Sequence, residues 1–380
     1  MSPNPETSLD EYLEETRALV IERLDELLPR TRDDGGLYEL MRDYPRRGGK
    51  MLRPAICLAM GRALGGSIDS LLPSAVVLEL YHSAFLIHDD VEDESELRRG
   101  RPTMHRAHGI PIAVHVGDAM LAACLRPLLD NVEIIGLGPA LAVLEEIATM
   151  ARETAEGQMM ELRLASSGHW DLPDATYLRL IHKKTSWYSF IAPLRVAGII
   201  VRSAPSRLAS LFRLGTLLGS AFQLQDDVLS LRGEAGNTGK DTRGDLWEGK
   251  HTVILAHALR TAPPRERARA LEHLARRRST PVERCIEELR AEGALSEVVA
   301  ERLRGASLEV ERTPARDGEC VRELQRLIEQ QGSLVHARAL AARHAAGARR
   351  SLEGLCVHAS AGPDLDFLEQ LVAFVGERSA

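Results

Sequence analysis

Lysine is scarce in this 380-residue sequence. Five of its 48 basic side chains are lysine (Lys50, Lys183, Lys184, Lys240, Lys250), the other 43 are arginine, and none follows Lys250. Where arginine serves by default, a retained lysine marks a position that wants a compact, mobile ammonium instead of a planar fork. Cysteine is sparse too: Cys57, Cys124, Cys285, Cys320 and Cys356 form an odd, scattered set without CxxC spacing. That argues against a disulfide frame or zinc site and for reduced thiols in a cytoplasmic protein. Positive charge is not in excess, since the net charge is −7, and this leaves no footprint for nucleic-acid binding. No uninterrupted apolar run approaches the roughly 18–20 residues of a membrane span. The first residues, MSPNPETSLDEYLEE, are polar and acidic, the opposite of a secretory signal.

Alternating β-type runs with Asn-Gly or Asp-Gly turns are also missing, as are repeats of 20–50 residues. What is present is helical periodicity, backed by 44% hydrophobic and 27% charged residues, enough for a large core. SLDEYLEETRALVIERLDELLPR opens on a Ser cap with early Glu residues, and similar patterns run through SLLPSAVVLELYHSAFLIH, GPALAVLEEIATMARETAEGQMMELRLA and SRLASLFRLGTLLGSAFQLQ. Breaks at 166–174, 232–245, 261–267 and 311–319 are loop-sized. The expected fold is all-α: one large single-domain helical bundle over 1–380, with 262–380 adding covering helices.

Two acidic clusters stand where a surface run is least expected. In HSAFLIHDDVEDESELRRGRPTMH, six of the eight residues from Asp89 to Glu96 are acidic, directly after an apolar helix. Asp89 and Asp93 lie one turn apart, with Cβ atoms about 5–6 Å from each other. They repel, and at a helix C-terminus they oppose the macrodipole. A solvated face tolerates such a run; a divalent cation between the acids explains it better. Hard oxygen donors without Cys or His spacing favour Mg²⁺ bridging to phosphate. The device recurs in SAFQLQDDVLSLRGEAGNTGKDTRGDLWEGK, where Asp226 and Asp227 end an apolar helix and Lys240 and Lys250 follow. Lys50 and Arg53 lie in the glycine-flanked turn GGKMLRP, Arg98 and Arg99 follow the first cluster, and Lys184-Thr185 sits inside an apolar helix. Acids with cations between them describe a site for diphosphate held through Mg²⁺.

The DDxxD of Asp89–Asp93 with Arg98-Arg99-Gly100, Gly49-Lys50…Arg53-Pro54, and Phe222-Gln223…Asp226-Asp227 closely resemble the trans-isoprenyl diphosphate (polyprenyl) synthases, most of all the geranylgeranyl diphosphate synthases. The resemblance runs in order from about residue 40 to 255. It implies an all-α bundle around a deep central cavity, in a homodimer. It implies that Asp89, Asp93 and Asp226 ligate about three Mg²⁺ ions. Asp90 and Asp227 then support those ligands from behind. Arg98, Lys184, Lys240 and Lys250 are implied to hold an allylic diphosphate, and Gly49, Lys50, Arg53, His82 and Arg99 isopentenyl diphosphate. Gln223 and Thr185 belong to the same substrate site, Gln158 and Glu161 lie near the metals, and Asp245 orders the lysine loop. The implied chemistry is ionisation of the allylic diphosphate and attack on the cation by the isopentenyl double bond, with Asp89, Asp93, Asp226, Lys184 and Gln223 as the catalytic set.

In this family the positions four and five residues before the motif shape the tunnel floor. Here they are Phe85 and Ala84, with Tyr81 one turn further back, and they favour a C20 over a C15 or longer product. Ser230 stands where many members carry Asp or Asn in the second motif. Other readings are a terpene cyclase on the same scaffold, an HD-type phosphohydrolase built on His82…His88-Asp89, and a non-catalytic partner subunit. The cyclase has no need of Lys50, Arg53 and His82. The phosphohydrolase leaves the second Asp pair without purpose, and a partner subunit would be expected to have lost acids that this chain keeps.

Overall fold

The computed structural model describes residues 8–30, 35–232, 244–276, 281–307, 317–356 and 360–377. Nineteen α-helices are assigned within them: α1 (Leu9–Leu27), α2 (Leu37–Arg46), α3 (Leu52–Ala63), α4 (Ile68–Glu92), α5 (Met104–His108), α6 (Ile110–Ala123), α7 (Leu125–Ile135), α8 (Leu137–Ser167), α9 (Asp174–Ile181), α10 (Ala192–Ile200), α11 (Pro205–Arg232), α12 (Gly244–Glu248), α13 (Val253–Thr261), α14 (Pro264–Leu274), α15 (Pro281–Ala291), α16 (Glu297–Ser307), α17 (Gly318–Gln330), α18 (Ser333–Cys356) and α19 (Pro363–Glu377). Between α9 and α10, His182–Ile191 forms a π-helical segment. The fold is all-α, as expected.

Local chemistry sets the ends. Ser8 and Glu11 close a reciprocal capping box on α1, and Ser67, Thr252 and Asp317 cap α4, α13 and α17 through their side chains. α4 is buried on nearly every face, from Leu71 through Leu80 to Ile87, so it runs through the core. Two apolar clusters form the interior, and α11 and α18 contribute to both. α18 joins them through buried Ala337, Ala341, Ala345 and Ala348, small residues that let it lie close along α11.

Two expectations need correction. Ile68–Glu92 and Ile110–Ile135 each contain an 18-residue window apolar enough to match a membrane span by length and composition. Counting only uninterrupted apolar residues missed them, because isolated His, Ser and Asp residues barely lower the mean hydropathy. The α4 window is 72% buried and the α6–α7 window 39%, so the first is explained as core and the second leaves an apolar face outward. There is also one hairpin, β1 (Leu97–Arg98) paired antiparallel with β2 (Arg101–Pro102). Its turn is Arg99-Gly100, with φ of 55° and 73°. Positive φ at both central residues is the two-residue hairpin geometry that Asn-Gly usually marks, so the sequence signal was absent.

Candidate active site

α4 runs out of the core, from buried Asp90 to exposed Glu92, with half-buried Asp93 as its C-cap. Asp89 and Asp90, adjacent in sequence, take opposite roles. Asp89 faces α8 and the π-helical segment: Lys184 Nζ stands 3.3 Å from its Oδ1, and Gln158 Nε2 donates to the same oxygen at 3.2 Å. Burial pushes the Asp89 carboxyl up, but Lys184, Arg98 and Lys250 outweigh it and hold it below its ordinary range. Asp90 is fully buried, accepting from the Tyr44 hydroxyl at 2.7 Å and from two nitrogens of Arg98. Asp90 thus braces the motif and Arg98 from behind.

Lys184 reaches Asp89 because α8 comes unusually close. A Cβ at Gly157 would collide with the Lys184 backbone, and Cβ atoms at Gly215 and Gly219 would collide with Ile191 and Ser186. The π-helical segment is therefore wedged between glycines of α8 and α11; such segments often mark functional positions. Lys184 also donates to Glu161, while Thr185 Oγ1 donates to Gln223 Oε1 at 2.9 Å. Gln223 Nε2 then donates to Asp227 Oδ1 at 3.0 Å.

Asp227 is the counterpart of Asp90: buried, and accepting from a tyrosine, Tyr177. Its supports are otherwise neutral, and burial pushes its carboxyl up to about 7 although Lys250 opposes the shift. Asp226 is half-buried beside it. Lys250 donates its backbone N–H to the Asp245 carbonyl at 2.8 Å. Burial acts to lower its pKa, but the charges of Asp245, Asp227, Glu161 and Asp226 hold its ammonium above its ordinary value. Ser230 donates to the Asp245 carboxylate, so a carboxylate from α12 lies against the last position of the second motif. Lys240 lies outside the described residues.

The second group of cations gathers elsewhere. Lys50, Arg53, His82 and Arg99 line one cavity of about 180 Å³ with Glu79, Phe222, Leu371 and Phe374. A Cβ at Gly49 (φ 109°) would collide with the Arg99 guanidinium, which explains that glycine. Arg53 lies 4.3 Å over the Tyr188 ring and donates Nη2 to Ser189 Oγ at 2.8 Å. Lys50 Nζ stands 5.0 Å from the Phe374 ring centroid and 3.8 Å from Asp10. His82 is buried, and burial with Arg53, Arg99 and Arg98 nearby keeps it well below its ordinary pKa, hence neutral. The hairpin turn divides the two adjacent arginines: Arg98 reaches Asp90 and Arg99 reaches this cavity.

Tyr81, Phe85 and Tyr188 form an edge-to-face ladder with centroids 5.7 Å apart at each step, and Ala84 is fully buried. Lys183 pairs with Glu153 and Glu156 at 2.6 and 2.5 Å. His88 points to Val114 O and Asp118, away from His82, which removes the pairing that a phosphohydrolase reading needs. Among the described residues no three His, Cys, Asp or Glu side chains converge as a ready-made cation cage. Asp89 and Asp93 come from the end of α4 and Asp226 from α11, a hard-oxygen donor set that fits Mg²⁺ completing its shell with water and phosphate.

Sequence reasoning missed Tyr44, Tyr177, Tyr188, Ser189, Glu79 and Phe374. Glu79 alone carried a signal: it lies three residues before His82, on the same face of α4.

The sequence pattern of the polyprenyl synthetase family matches residues 35–289. The geranylgeranyl pyrophosphate synthase of Geoglobus acetivorans is 32% identical over 255 residues, 66% of this chain and 76% of its own. An all-trans-nonaprenyl-diphosphate synthase (geranyl-diphosphate specific) of Rhodobacter capsulatus is 34% identical over 252 residues, 65% and 73% of the two chains. The crystal structure of a geranylgeranyl pyrophosphate synthetase from Pyrococcus horikoshii superposes with a TM-score of 0.79 at 27% identity, covering 97% of this chain and 98% of that one.

Proposed function

This chain belongs to the polyprenyl synthetase family and is a trans-prenyltransferase, and we propose that it condenses isopentenyl diphosphate with an allylic diphosphate into a medium-length product, C20 geranylgeranyl diphosphate. The observation that carries the assignment of substrates is the separation of two cation groups. One is interleaved with carboxylates at the ends of α4 and α11, and the other lines a cavity with a single buried acid. The first suits the allylic diphosphate, the second isopentenyl diphosphate.

In this reading Asp89, Asp93 and Asp226 hold Mg²⁺, which when bound would neutralise charge building on the departing diphosphate. Lys184, Lys250 and Arg98 face the same diphosphate and favour its departure as the allylic C–O bond breaks with its electron pair on oxygen. Thr185 and Gln223 tie the π-helical segment to Asp227. Lys50, Arg53, His82 and Arg99 hold isopentenyl diphosphate so that its double bond attacks the allylic cation, and the resulting cation then loses a proton to the released diphosphate to give the new allylic product. The apolar walls keep water from the cation. The aromatic ladder of Tyr81 and Phe85 beside Ala84 supports a floor suited to C20.

Incubating the protein with isopentenyl diphosphate and each of the C5, C10 and C15 allylic diphosphates, with Mg²⁺ or EDTA, tests this by product mass. A Mg²⁺-dependent C20 diphosphate is expected. C15 or longer products refute the floor argument alone, and a cyclic hydrocarbon without isopentenyl incorporation refutes the condensation.

A homodimer belongs to the same proposal. Ile110, Leu125, Leu129, Leu137 and Leu141 are all more than half exposed across α6, α7 and the start of α8, with Leu129 at 65%. A contiguous apolar face of this kind suits a second copy of the chain. Leu129→Asp with Leu137→Asp should halve the mass in sedimentation equilibrium, whereas an unchanged mass places the interface elsewhere.

A further inference from the structure

Three buried atoms of the basic cavity's lining have no hydrogen-bond partner: His82 Nδ1 and two of complementary chemistry, the Nε–H of Arg53, a donor, and Oε2 of Glu79, an acceptor. Glu79 is 3% exposed, in the middle of α4 and one turn before His82. An unpaired polar atom at such depth is costly, and two of opposite character in one wall are costlier than the pair they would make. The cations around Glu79 are Arg53, Arg99 and Arg17, drawn from α3, the hairpin and α1. Arg53 is already fixed on its other sides by the Tyr188 ring and by Ser189. Its Nε–H has no such partner.

We propose that Glu79 is a positioning residue for Arg53: Oε2 takes the Nε–H when a diphosphate enters, and this turns the Nη side of the guanidinium toward the anion. The proposal rests on reading this cavity as the isopentenyl diphosphate pocket. A carboxylate is suited to the task because it binds the guanidinium edge in a fixed plane, which a lysine ammonium cannot exploit. With Arg53, Arg99 and Lys50 around the cavity, one buried acid orients the cations while leaving an excess of positive charge for the ligand.

Steady-state kinetics of Glu79→Leu, Glu79→Gln, Arg53→Lys and the double variant Glu79→Leu/Arg53→Lys test it, with thermal unfolding as the folding control. Glu79→Leu should raise KM for isopentenyl diphosphate by about tenfold or more and leave kcat and the allylic KM within about twofold. Glu79→Gln should fall between, since its amide oxygen still accepts. Because Arg53→Lys has already removed the Nε–H, the double variant should be no worse than Arg53→Lys alone. An unchanged isopentenyl KM in Glu79→Leu, or multiplicative effects in the double variant, overturns the proposal. So does an equal rise in both KM values with a lowered unfolding temperature, which marks a merely structural role. If Arg53→Lys itself leaves the isopentenyl KM unchanged, the reading of the pocket falls, and the proposal with it.

Discussion

The two cation groups differ in what balances them. At the ends of α4 and α11 each cation faces carboxylates of the protein: Lys184 meets Asp89 and Glu161, Arg98 meets Asp90, and Lys250 faces Asp245, Asp227 and Asp226. In the basic cavity the supports are mostly neutral, namely the Tyr188 ring, Ser189 and the bare backbone of Gly49, with Glu79 as its one buried acid. The first site carries more carboxylates than cations when empty, with Lys184, Arg98 and Lys250 facing Asp89, Asp90, Asp226, Asp227, Asp245 and Glu161, so a diphosphate entering it needs extra cations. The basic cavity carries more cations than acids, with Lys50, Arg53 and Arg99 set against Glu79 and Asp10. On this contrast Mg²⁺ dependence is expected for the allylic substrate only.

The largest test of the contrast removes single acids from the carboxylate-rich site. Asp89→Asn and Asp226→Asn should each lower kcat/KM by about 10²–10³-fold, while isothermal calorimetry shows isopentenyl diphosphate binding unchanged. Loss of that binding would merge the two sites. Next is the pair of buried braces. Asp90→Asn strands Arg98 without its counter-ion and should cost about 3 kcal/mol in denaturant unfolding. Asp227→Asn, whose direct partners Tyr177 and Gln223 are neutral, should cost clearly less. Equal costs would show that the two motifs are braced alike.

Glu79 predicts a pH effect of opposite sign. Burial, opposed by Arg53, Arg99 and Arg17, pushes its carboxyl up to about 7 from the usual 4.5. The folded state therefore binds more protons than the unfolded chain between those values, and Glu79 makes stability fall as pH rises through that window. Glu79→Gln removes the penalty, so the variant should match the parent near pH 4 and exceed it near pH 8 by on the order of 2–3 kcal/mol. A constant difference across pH would remove burial as the cause. The smallest effect expected is that of Ser230→Ala, which loses the donor to Asp245 and should cost about 1 kcal/mol with little change in rate.

How much of this was legible depended on sequence distance. Asp89, Asp93, Asp226 and their flanking cations could be read because helix periodicity puts acids where a buried helix should not end. The tyrosines that brace them could not. Tyr44 is 46 residues from Asp90 and Tyr177 is 50 from Asp227, and neither has a local pattern. The Arg99-Gly100 turn hid because an arginine takes the positive-φ position that Asn or Asp usually marks. The close approach of α8 to Lys184 rests on Gly157, one glycine among thirty in the chain. Phe374 entered only because α19 folds back over the N-terminal helices, a long-range packing event with no periodic signature.

The central claim is that one diphosphate site is rich in carboxylates and the other in cations. It is tested most directly by calorimetric binding of isopentenyl diphosphate and of a non-ionising thio analogue of an allylic diphosphate, each with Mg²⁺ and with EDTA. Isopentenyl diphosphate should bind with the same affinity in both conditions, while the allylic analogue should bind only with Mg²⁺. Metal dependence of both ligands, or of neither, would contradict the account.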